Sequence, residues 1–329
     1  MRLSKTKSFF IAALATHLFA FTVAFADVQP TIKIAVLKFG TVNWTLETIK
    51  QQQLDKKNGF ELIVQPLAST QASKISLQAD ATDIIVSDWT WVARQRGKFA
   101  NFLFSPYSSS AGSIMVPNNS PIHSLADLSE RKLGIAGGAL DKNWLLLRAL
   151  ALKNNIDLDK KVGKVFGAPP LLNHLIQQGE LDALSNYWHY SARLKAKGYR
   201  KLIDTHDIIH QLGFKSTVPI LGYVFRETWA QVHSSSLNNF LKASQQAAEL
   251  LCSSDEHWNA ILPLTRTDDI ETQSLLRSGY CEGRVTSFTQ QDKQTIADIY
   301  AILGRIGGDK LVGSVKQLNL NIFWNNNRN

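Results

Sequence analysis

The fold of this protein is decided by residues 32–50, which read IKIAVLKFGTVNWTLETIK. Alternating apolar residues through Leu37 predict a strand, and Gly40 permits a tight turn after it. Thr41 or Asn43 is suited to cap the helix that follows. A strand, a loop and a helix N-terminus in this order present free backbone N–H groups beside one edge of a sheet. Because open α/β folds hold their ligands at that edge, the stretch predicts where the functional site lies.

Residues 1–26 have the pattern of a secretory signal peptide. Arg2, Lys5 and Lys7 precede an apolar run that ends in the sequence AFA, a small-x-small cleavage site. We therefore expect a mature chain that begins at Asp27 and is exported without a lipid anchor. The alternative is that the leader stays uncleaved as a membrane anchor. No later apolar run reaches the roughly 20 residues of a membrane span.

The formal charge is +9, of which three positive residues lie in the leader, so that +6 remains for the mature chain. The Lys and Arg residues are scattered, as on a solvated surface, and no basic stripe is interleaved with aromatic residues. A nucleic-acid partner is therefore not expected, and we expect a monomer. The modest positive excess is compatible with an anionic ligand or an acidic partner surface.

Cys252 and Cys281 are the only cysteines, and an oxidising compartment allows them to form a disulfide. A loop of that length contributes roughly 3–4 kcal/mol in the chain-entropy model. Two free thiols are the alternative, because a sequence does not show whether the two Cα atoms are close enough. The spacing of the His and Asp residues suggests no metal site, and no cofactor is expected.

About 300 mature residues exceed the size at which a single core keeps growing, so two lobes are expected. Strands alternate with helices up to residue 116, and PNNSP at residues 117–121 then breaks the regular structure. A second βα series follows, and a strand near residues 218–225 returns to the first lobe. We therefore expect lobe 1 to comprise residues 27–116 and 222–329, and lobe 2 to comprise residues 117–221.

Polar and aromatic residues collect where predicted strands end and helices begin. Aromatic faces can enclose a planar ring or a cation, and carboxylates, hydroxyls and free N–H groups can bind its polar atoms. Each tryptophan has the alternative of packing behind its loop, Asp88 and Asp141 that of serving only as helix caps, and His189 a purely structural role. The predicted ligand-binding residues are Phe39, Thr41, Asn43, Trp44, Ser87, Asp88, Trp89, Trp91, Ser110, Gly138, Asp141, Asn186, Trp188, His189 and Tyr223.

Two segments carry a family resemblance. The first is SLADL at residues 124–128, followed by KLGIAGG at 132–138 and a helix; the second is LIQQGELDA at 175–183. Both resemble the substrate-binding proteins of ABC importers for nitrate, taurine, sulfonates and thiamine precursors. Where that family has a small or Gly-rich loop after the fourth strand, DWTW stands at residues 88–91, which disfavours a simple nitrate-like ligand.

The resemblance implies a type II periplasmic-binding fold, with two α/β lobes joined by two hinge crossings. It also implies a periplasmic protein that captures a small solute between the lobes and delivers it to an ABC permease in the inner membrane. The aromatic residues favour a planar nitrogen compound or a compact cation, and a sulfonate is the competing ligand.

No catalytic residues are predicted, because no Gly-x-Ser-x-Gly, His-Glu-x-x-His or Cys-x-x-Cys motif occurs. We therefore expect a binding protein and not an enzyme. The alternatives are a secreted sensor or accessory module, which would have the same sequence features, and an enzyme on the same fold.

Overall fold

The computed structural model describes residues 29–325, so the predicted leader, its cleavage site and Asp27 lie outside the described residues. Ten strands are found in that range: β1 Thr31–Leu37, β2 Glu61–Leu67, β3 Ile84–Ser87, β4 Phe102–Ser108, β5 Gly112–Val116, β6 Lys132–Ala136, β7 Gly163–Gly167, β8 Ala183–Tyr187, β9 Arg200–Asp204 and β10 Leu221–Arg226.

The described residues also form sixteen α-helices, and none of these is long and apolar enough to cross a membrane. The helices are α1 Val42–Gln51, α2 Leu54–Lys57, α3 Thr70–Gln78, α4 Trp89–Arg96, α5 Lys142–Lys153, α6 Leu158–Lys161, α7 Pro169–Gln177, α8 Trp188–Ala196, α9 Thr205–Leu212, α10 Glu227–Val232, α11 Ser234–Ser253, α12 Asp255–Ala260, α13 Leu262–Thr265, α14 Ile270–Glu282, α15 Gln290–Gly307 and α16 Asp309–Val312. Two short 3₁₀ turns lie at Ala126–Leu128 and Leu320–Ile322.

The strands form two five-stranded sheets, in the orders β2-β1-β3-β10-β4 and β7-β6-β8-β5-β9. In the first sheet β1 is parallel to β2 and β3, while β10 is antiparallel to β3 and β4. In the second sheet β6 is parallel to β7 and β8, while β5 is antiparallel to β8 and β9. The two α/β lobes predicted from the sequence are confirmed.

The opening stretch folds as predicted, with one difference at the cap. Strand β1 buries alternate residues at its start and is followed by α1, on which Leu46 and Ile49 are buried. Thr41 is the N-cap residue, but its side chain accepts no hydrogen bond. The Asn43 side chain instead donates to the carbonyl oxygens of Leu37 and Gly40, at 2.9 and 2.7 Å. The turn is therefore fixed from inside the helix and not from its cap.

The strand β5 lies in the second sheet, although the sequence placed residues 112–116 in lobe 1. Residues 109–111 connect β4 of the first sheet directly to β5 of the second. The PNNSP segment at residues 117–121 follows β5 and is therefore not the crossing between the sheets. We therefore propose that lobe 2 begins near residue 112. Strand β9 and helix α9 were not predicted from the sequence, because β9 is a short strand that begins with two charged residues.

Two late helices pack on both lobes. On one side, apolar residues of α15 share a continuous core with α4 of the first lobe and α5 of the second, including Tyr300, Val92 and Leu145. On the other side, α14 packs along α8 of the second lobe. The disulfide Cys252–Cys281, predicted from the sequence and confirmed, ties α14 to α11 of the first lobe. The C-terminal region therefore connects the lobes on both faces.

Candidate functional site

Residues that follow the carboxyl ends of β1, β3, β6 and β8 bring the two lobes into contact at two places. On the α4 side, Lys142 at the start of α5 places its Nζ 3.1 Å from Oδ2 of Asp88, the cap of α4. On the α1 side, the rings of Trp44 and Trp188 meet edge to face with centroids 6.0 Å apart. Because each contact joins one lobe to the other, the region between them is the candidate binding site.

We call the first contact region the interlobe charge cluster and define it as Lys74, Asp88, Asp141, Lys142 and Tyr187. The ion pair between Asp88 and Lys142 is mostly shielded from water, with 15% and 19% of the two side chains exposed. Asp88 also accepts hydrogen bonds from the Thr90 hydroxyl and the Trp91 N–H. Asp88 is thus both the helix cap that the sequence predicted and a charged link between the lobes.

The pKa values within the charge cluster move in opposite directions. Burial alone would raise the pKa of Asp88, but the Lys142 ammonium, the two hydrogen bonds and the Lys74 ammonium together hold it well below its usual range. Burial lowers the pKa of Lys74, an effect that Asp88 only partly offsets. Burial and the carboxylates of Asp141 and Asp88 raise the pKa of Tyr187, so that its hydroxyl stays protonated.

Asp141 is the carboxylate of the cluster that has an oxygen free to accept a further hydrogen bond. Its Oδ1 caps α5 by accepting from the N–H groups of Asn143 and Trp144, at 2.9 and 3.2 Å. Its Oδ2 has no donor among the described residues. Burial raises the pKa of Asp141 to about 6, even though Lys142 and the two backbone N–H groups lower it. A desolvated carboxylate with an unused oxygen is suited to bind a ligand N–H or cation.

Gly137 is the residue that lets these groups approach each other. Its φ of +80° is a conformation that glycine adopts readily, and a Cβ atom built there would lie 2.6 Å from the Tyr187 hydroxyl and 2.7 Å from Asp141 Oδ2. Gly138 follows with φ +85°, and a Cβ there would meet only open space. The turn after β6 therefore brings Asp141 close to Tyr187 at Gly137 and is open at Gly138.

The second contact region is an aromatic cluster of Trp44, Trp188, Trp258 and Tyr280. Trp44 is 3% exposed, and its ring lies 5.5 Å from that of Trp258 and 5.7 Å from that of Tyr280. The disulfide packs against this cluster. Trp44 therefore packs between the lobes and presents little surface to a ligand. Trp188 is half-buried.

The two tryptophans after β3 do not lie in the cleft. Trp89 is 1% exposed, packs near Tyr300, and donates its indole N–H to the carbonyl oxygen of Pro219 at 2.9 Å. Trp91 is 4% exposed and stacks on Phe102 at 5.2 Å. The cause is α4, which is buried on nearly all sides by elements from the end of the chain. We therefore leave both rings out of the site proposed below.

Several other predicted site residues are used within the protein. Asn186 is fully buried and donates to the Pro169 carbonyl and the Asn173 side chain. Ser110 donates its hydroxyl to the Gly279 carbonyl, at 2.8 Å. Tyr223 is 1% exposed and shares a hydrogen bond with Ser244.

The remaining predicted residues lie at or near the strand ends. Ser87 is buried, and Phe39 is 54% exposed with the Arg266 guanidinium 3.6 Å above its ring. Thr41 is half-buried beside a cavity described below. His189 is half-buried, and its Nδ1 is buried without a hydrogen-bond partner. Burial and the nearby Arg193 lower the pKa of His189 to about 4, which keeps the imidazole neutral.

Sequence reasoning missed Lys74, Lys142 and Tyr187. The available signal was the charge order at the two junctions, where Asp88 follows one strand and a lysine stands directly after Asp141. Opposite charges on facing helix starts predict a contact if the lobes meet.

Among the described residues, one group has the side chains of a possible metal site: Asp204, His206 and Asp207. The ammonium of Lys201 lies 2.6 Å from Asp204 and 3.5 Å from Asp207, so both carboxylates are already paired with a cation.

Comparison with known proteins finds a matching family model. The model of the family described as NMT1/THI5 like matches residues 56–256. No protein of curated function matches the sequence significantly.

Many solved structures share the fold. The periplasmic aliphatic sulphonate binding protein SsuA from Escherichia coli has a TM-score of 0.73 at 16% identity, covering 90% of this chain and 92% of that one. The alkanesulfonate-binding protein SsuA from Xanthomonas axonopodis pv. citri, bound to MOPS, has a TM-score of 0.66 at 15% identity, covering 89% and 98%. A ligand-binding component of an ABC-type import system from Staphylococcus aureus, with zinc bound, has a TM-score of 0.64 at 13% identity, covering 90% and 97%. These likenesses confirm the periplasmic-binding fold.

Proposed function

Because this chain belongs to the NMT1/THI5-like family, we propose that it is the solute-binding component of an ABC importer. It captures one small organic molecule between its lobes and delivers it to a permease in the inner membrane. The ligand lies beside the interlobe charge cluster, and closure of the lobes around it makes the complex that the permease recognises. The protein acts as a monomer in the periplasm after its leader is removed.

The observation that carries the proposal is the convergence of four ionisable groups and Tyr187 from both lobes at the strand ends. Charged groups are costly to bury, so their presence between two lobes is better explained by binding than by stability. The solved structures described above as binding proteins or import components share the fold and support the same role.

For the ligand we propose a planar nitrogen compound or a compact cation. The free Oδ2 of Asp141 accepts an N–H, and the ring and hydroxyl of Tyr187 lie beside it. A sulfonate is the second candidate, because Lys74, Lys142 and the start of α5 supply positive charge and because two similar structures are of sulfonate-binding proteins.

The role itself is recognition and not catalysis. A secreted sensor that presents its ligand to a membrane receptor is the alternative. Neighbouring permease and ATPase genes would favour transport, and a neighbouring sensor kinase gene would favour sensing.

The test is thermal unfolding of the mature protein with taurine, alkanesulfonates, nitrate, formylated pyrimidines, flavins and betaines. A ligand at a hundred times its Kd adds about 2.7 kcal/mol, which raises Tm by about 4–8 °C for a chain of this size. We expect one class of compound to give this rise. If none does, and denatured protein releases no bound small molecule, the proposal is contradicted.

The pH dependence of that binding distinguishes the two ligand classes. Asp141 is ionised above pH 6 and protonated below it. A cationic ligand should therefore bind more weakly as the pH falls through about 6, whereas a sulfonate should bind more tightly, because protonation removes a nearby negative charge. Asp141→Asn should abolish either dependence. Asp157→Asn, which changes a surface carboxylate of the same lobe paired only with Lys160, is the matched control and should leave the dependence intact.

A further inference from the structure

A cavity of about 300 Å³ lies next to the contact between Trp44 and Trp188. Thr41, Ser108 and Trp188 form its cleft side, and residues of α11 and the end of α14 form its far wall. It shares no residue with the interlobe charge cluster. Its volume is at the lower end of the range for small-molecule pockets, which suffices for one ring and a polar group.

Three tyrosines, Tyr107, Tyr223 and Tyr280, line the cavity. The Thr45 hydroxyl, behind the wall, is hydrogen-bonded to Tyr107 and Tyr280, at 2.8 and 2.7 Å, and Tyr223 is bonded to Ser244 at 2.7 Å. Burial raises the pKa of Tyr280 to about 12 and those of Tyr107 and Tyr223 well above their usual value. The three rings therefore stay neutral at physiological pH and are held in fixed positions, which suits a planar ligand.

Arg284 provides the positive charge of the cavity and has an unused donor. Its Nη1 is paired with Glu249, a side chain that is 66% exposed, so that pairing is screened by water. Its Nε is buried and has no hydrogen-bond partner. On α14 itself, Arg277 differs, because its Nε donates to the Leu251 carbonyl at 3.2 Å. Because Nε is closed off from solvent, a ligand oxygen would meet the outer part of the guanidinium, whose Nη2 donates to no group among the described residues.

We infer that this cavity is a second ligand site, which takes a small planar monoanion such as an aromatic carboxylate. A carboxylate oxygen accepts a hydrogen bond from Nη2 of Arg284, and the ring lies among the tyrosines. The site shares no residue with the charge cluster, although Thr41, Trp188 and Tyr223 are among the ligand-binding residues that the sequence predicts.

Isothermal titration calorimetry with benzoate and benzamide on the unmodified mature protein tests the inference. We expect benzoate to bind with a millimolar Kd or tighter, and at least about 10-fold more tightly than its neutral amide analogue, because the bond to the guanidinium is charge-assisted. Arg284→Met should remove that preference. Arg277→Met, which changes an arginine of α14 whose Nε is already satisfied, should leave benzoate binding unchanged.

Two results would overturn the inference. The first is no benzoate binding, or equal binding of benzoate and benzamide, to the unmodified protein, an outcome that does not depend on the stability of any variant. The second is tighter benzoate binding in Asp141→Asn together with unchanged binding in Arg284→Met, which would place benzoate at the charge cluster, where loss of a carboxylate favours an anion. Failure of benzoate to bind would leave the thermal-unfolding test of the transport proposal unaffected.

Discussion

Trp44→Ala is expected to lower the free energy of unfolding by about 3–5 kcal/mol, the usual range for removing a fully buried tryptophan. The ring is 3% exposed and touches Trp188, Trp258 and Tyr280, so the substitution leaves a cavity between the lobes. Urea unfolding followed by circular dichroism measures the loss.

Trp229→Ala is the control for this substitution. Trp229 lies on α10, is only partly buried, and contacts Phe225 and His233 within lobe 1. We expect a clearly smaller loss there. Equal losses in the two variants would mean that the contact with lobe 2 contributes nothing to the stability of the fold.

Removal of the disulfide by Cys252→Ser with Cys281→Ser is expected to cost about 3–4 kcal/mol, because the bond closes a loop between residues 29 apart in the sequence. The bond holds α14 on α11, and α14 in turn packs on α8 of the second lobe. The Ser110 hydroxyl in the crossing segment also donates to the Gly279 carbonyl of α14. Loss of the bond should therefore loosen the connection between the lobes as well as the local structure.

Thermal unfolding with and without a reductant measures this effect. Reductant should lower the Tm of the unmodified protein to that of the double variant and should not change the Tm of the variant. A loss under about 1 kcal/mol would show that packing of Trp258 and Tyr280 holds α14 without the covalent bond.

The local signals of the sequence predicted most of the framework. Strand β1, the turn at Gly40 and helix α1 follow from alternation and turn chemistry, and Asp88 and Asp141 cap their helices as expected. The same logic holds in lobe 2, where the start of β6 repeats the start of β1. The N–H of Lys33 donates to Asp83 and that of Lys132 to Asp182, both at 2.7 Å.

The depth of each aromatic residue could not be predicted in this way. Trp89 and Trp91 stand at a strand-to-helix junction, as a ligand-binding ring would, but Phe102 of β4 stacks on Trp91 and Tyr300 of α15, more than 200 residues further along the chain, packs beside Trp89. The pattern of apolar residues in α4 does not show which side of the helix faces the core, because that helix is buried on almost every side. Long-range packing therefore decides whether such a ring faces the cleft or the core.

Only the two carboxylates of the charge cluster could be predicted from the sequence, for a similar reason. The sequence places both carboxylates at a helix start, as ligand-binding residues or as caps, and both cap their helices. Lys74 lies on α3 and Lys142 on α5, and their approach to Asp88 depends on how the lobes meet. The pairing of residues 112–116 with the second sheet was not predicted for a related reason, since a strand's neighbours across the sheet leave no local signal.

Hydrogen exchange of backbone amides, with and without the compound that gives the largest Tm rise, tests the central claim most directly. If a solute is held between the lobes, exchange must slow in both of them at once, at residues 87–91 of the first and residues 137–145 of the second. We predict protection at both segments, and its loss in Asp141→Asn if the ligand is a cation. Protection confined to one lobe, or absent from both segments, would contradict the account.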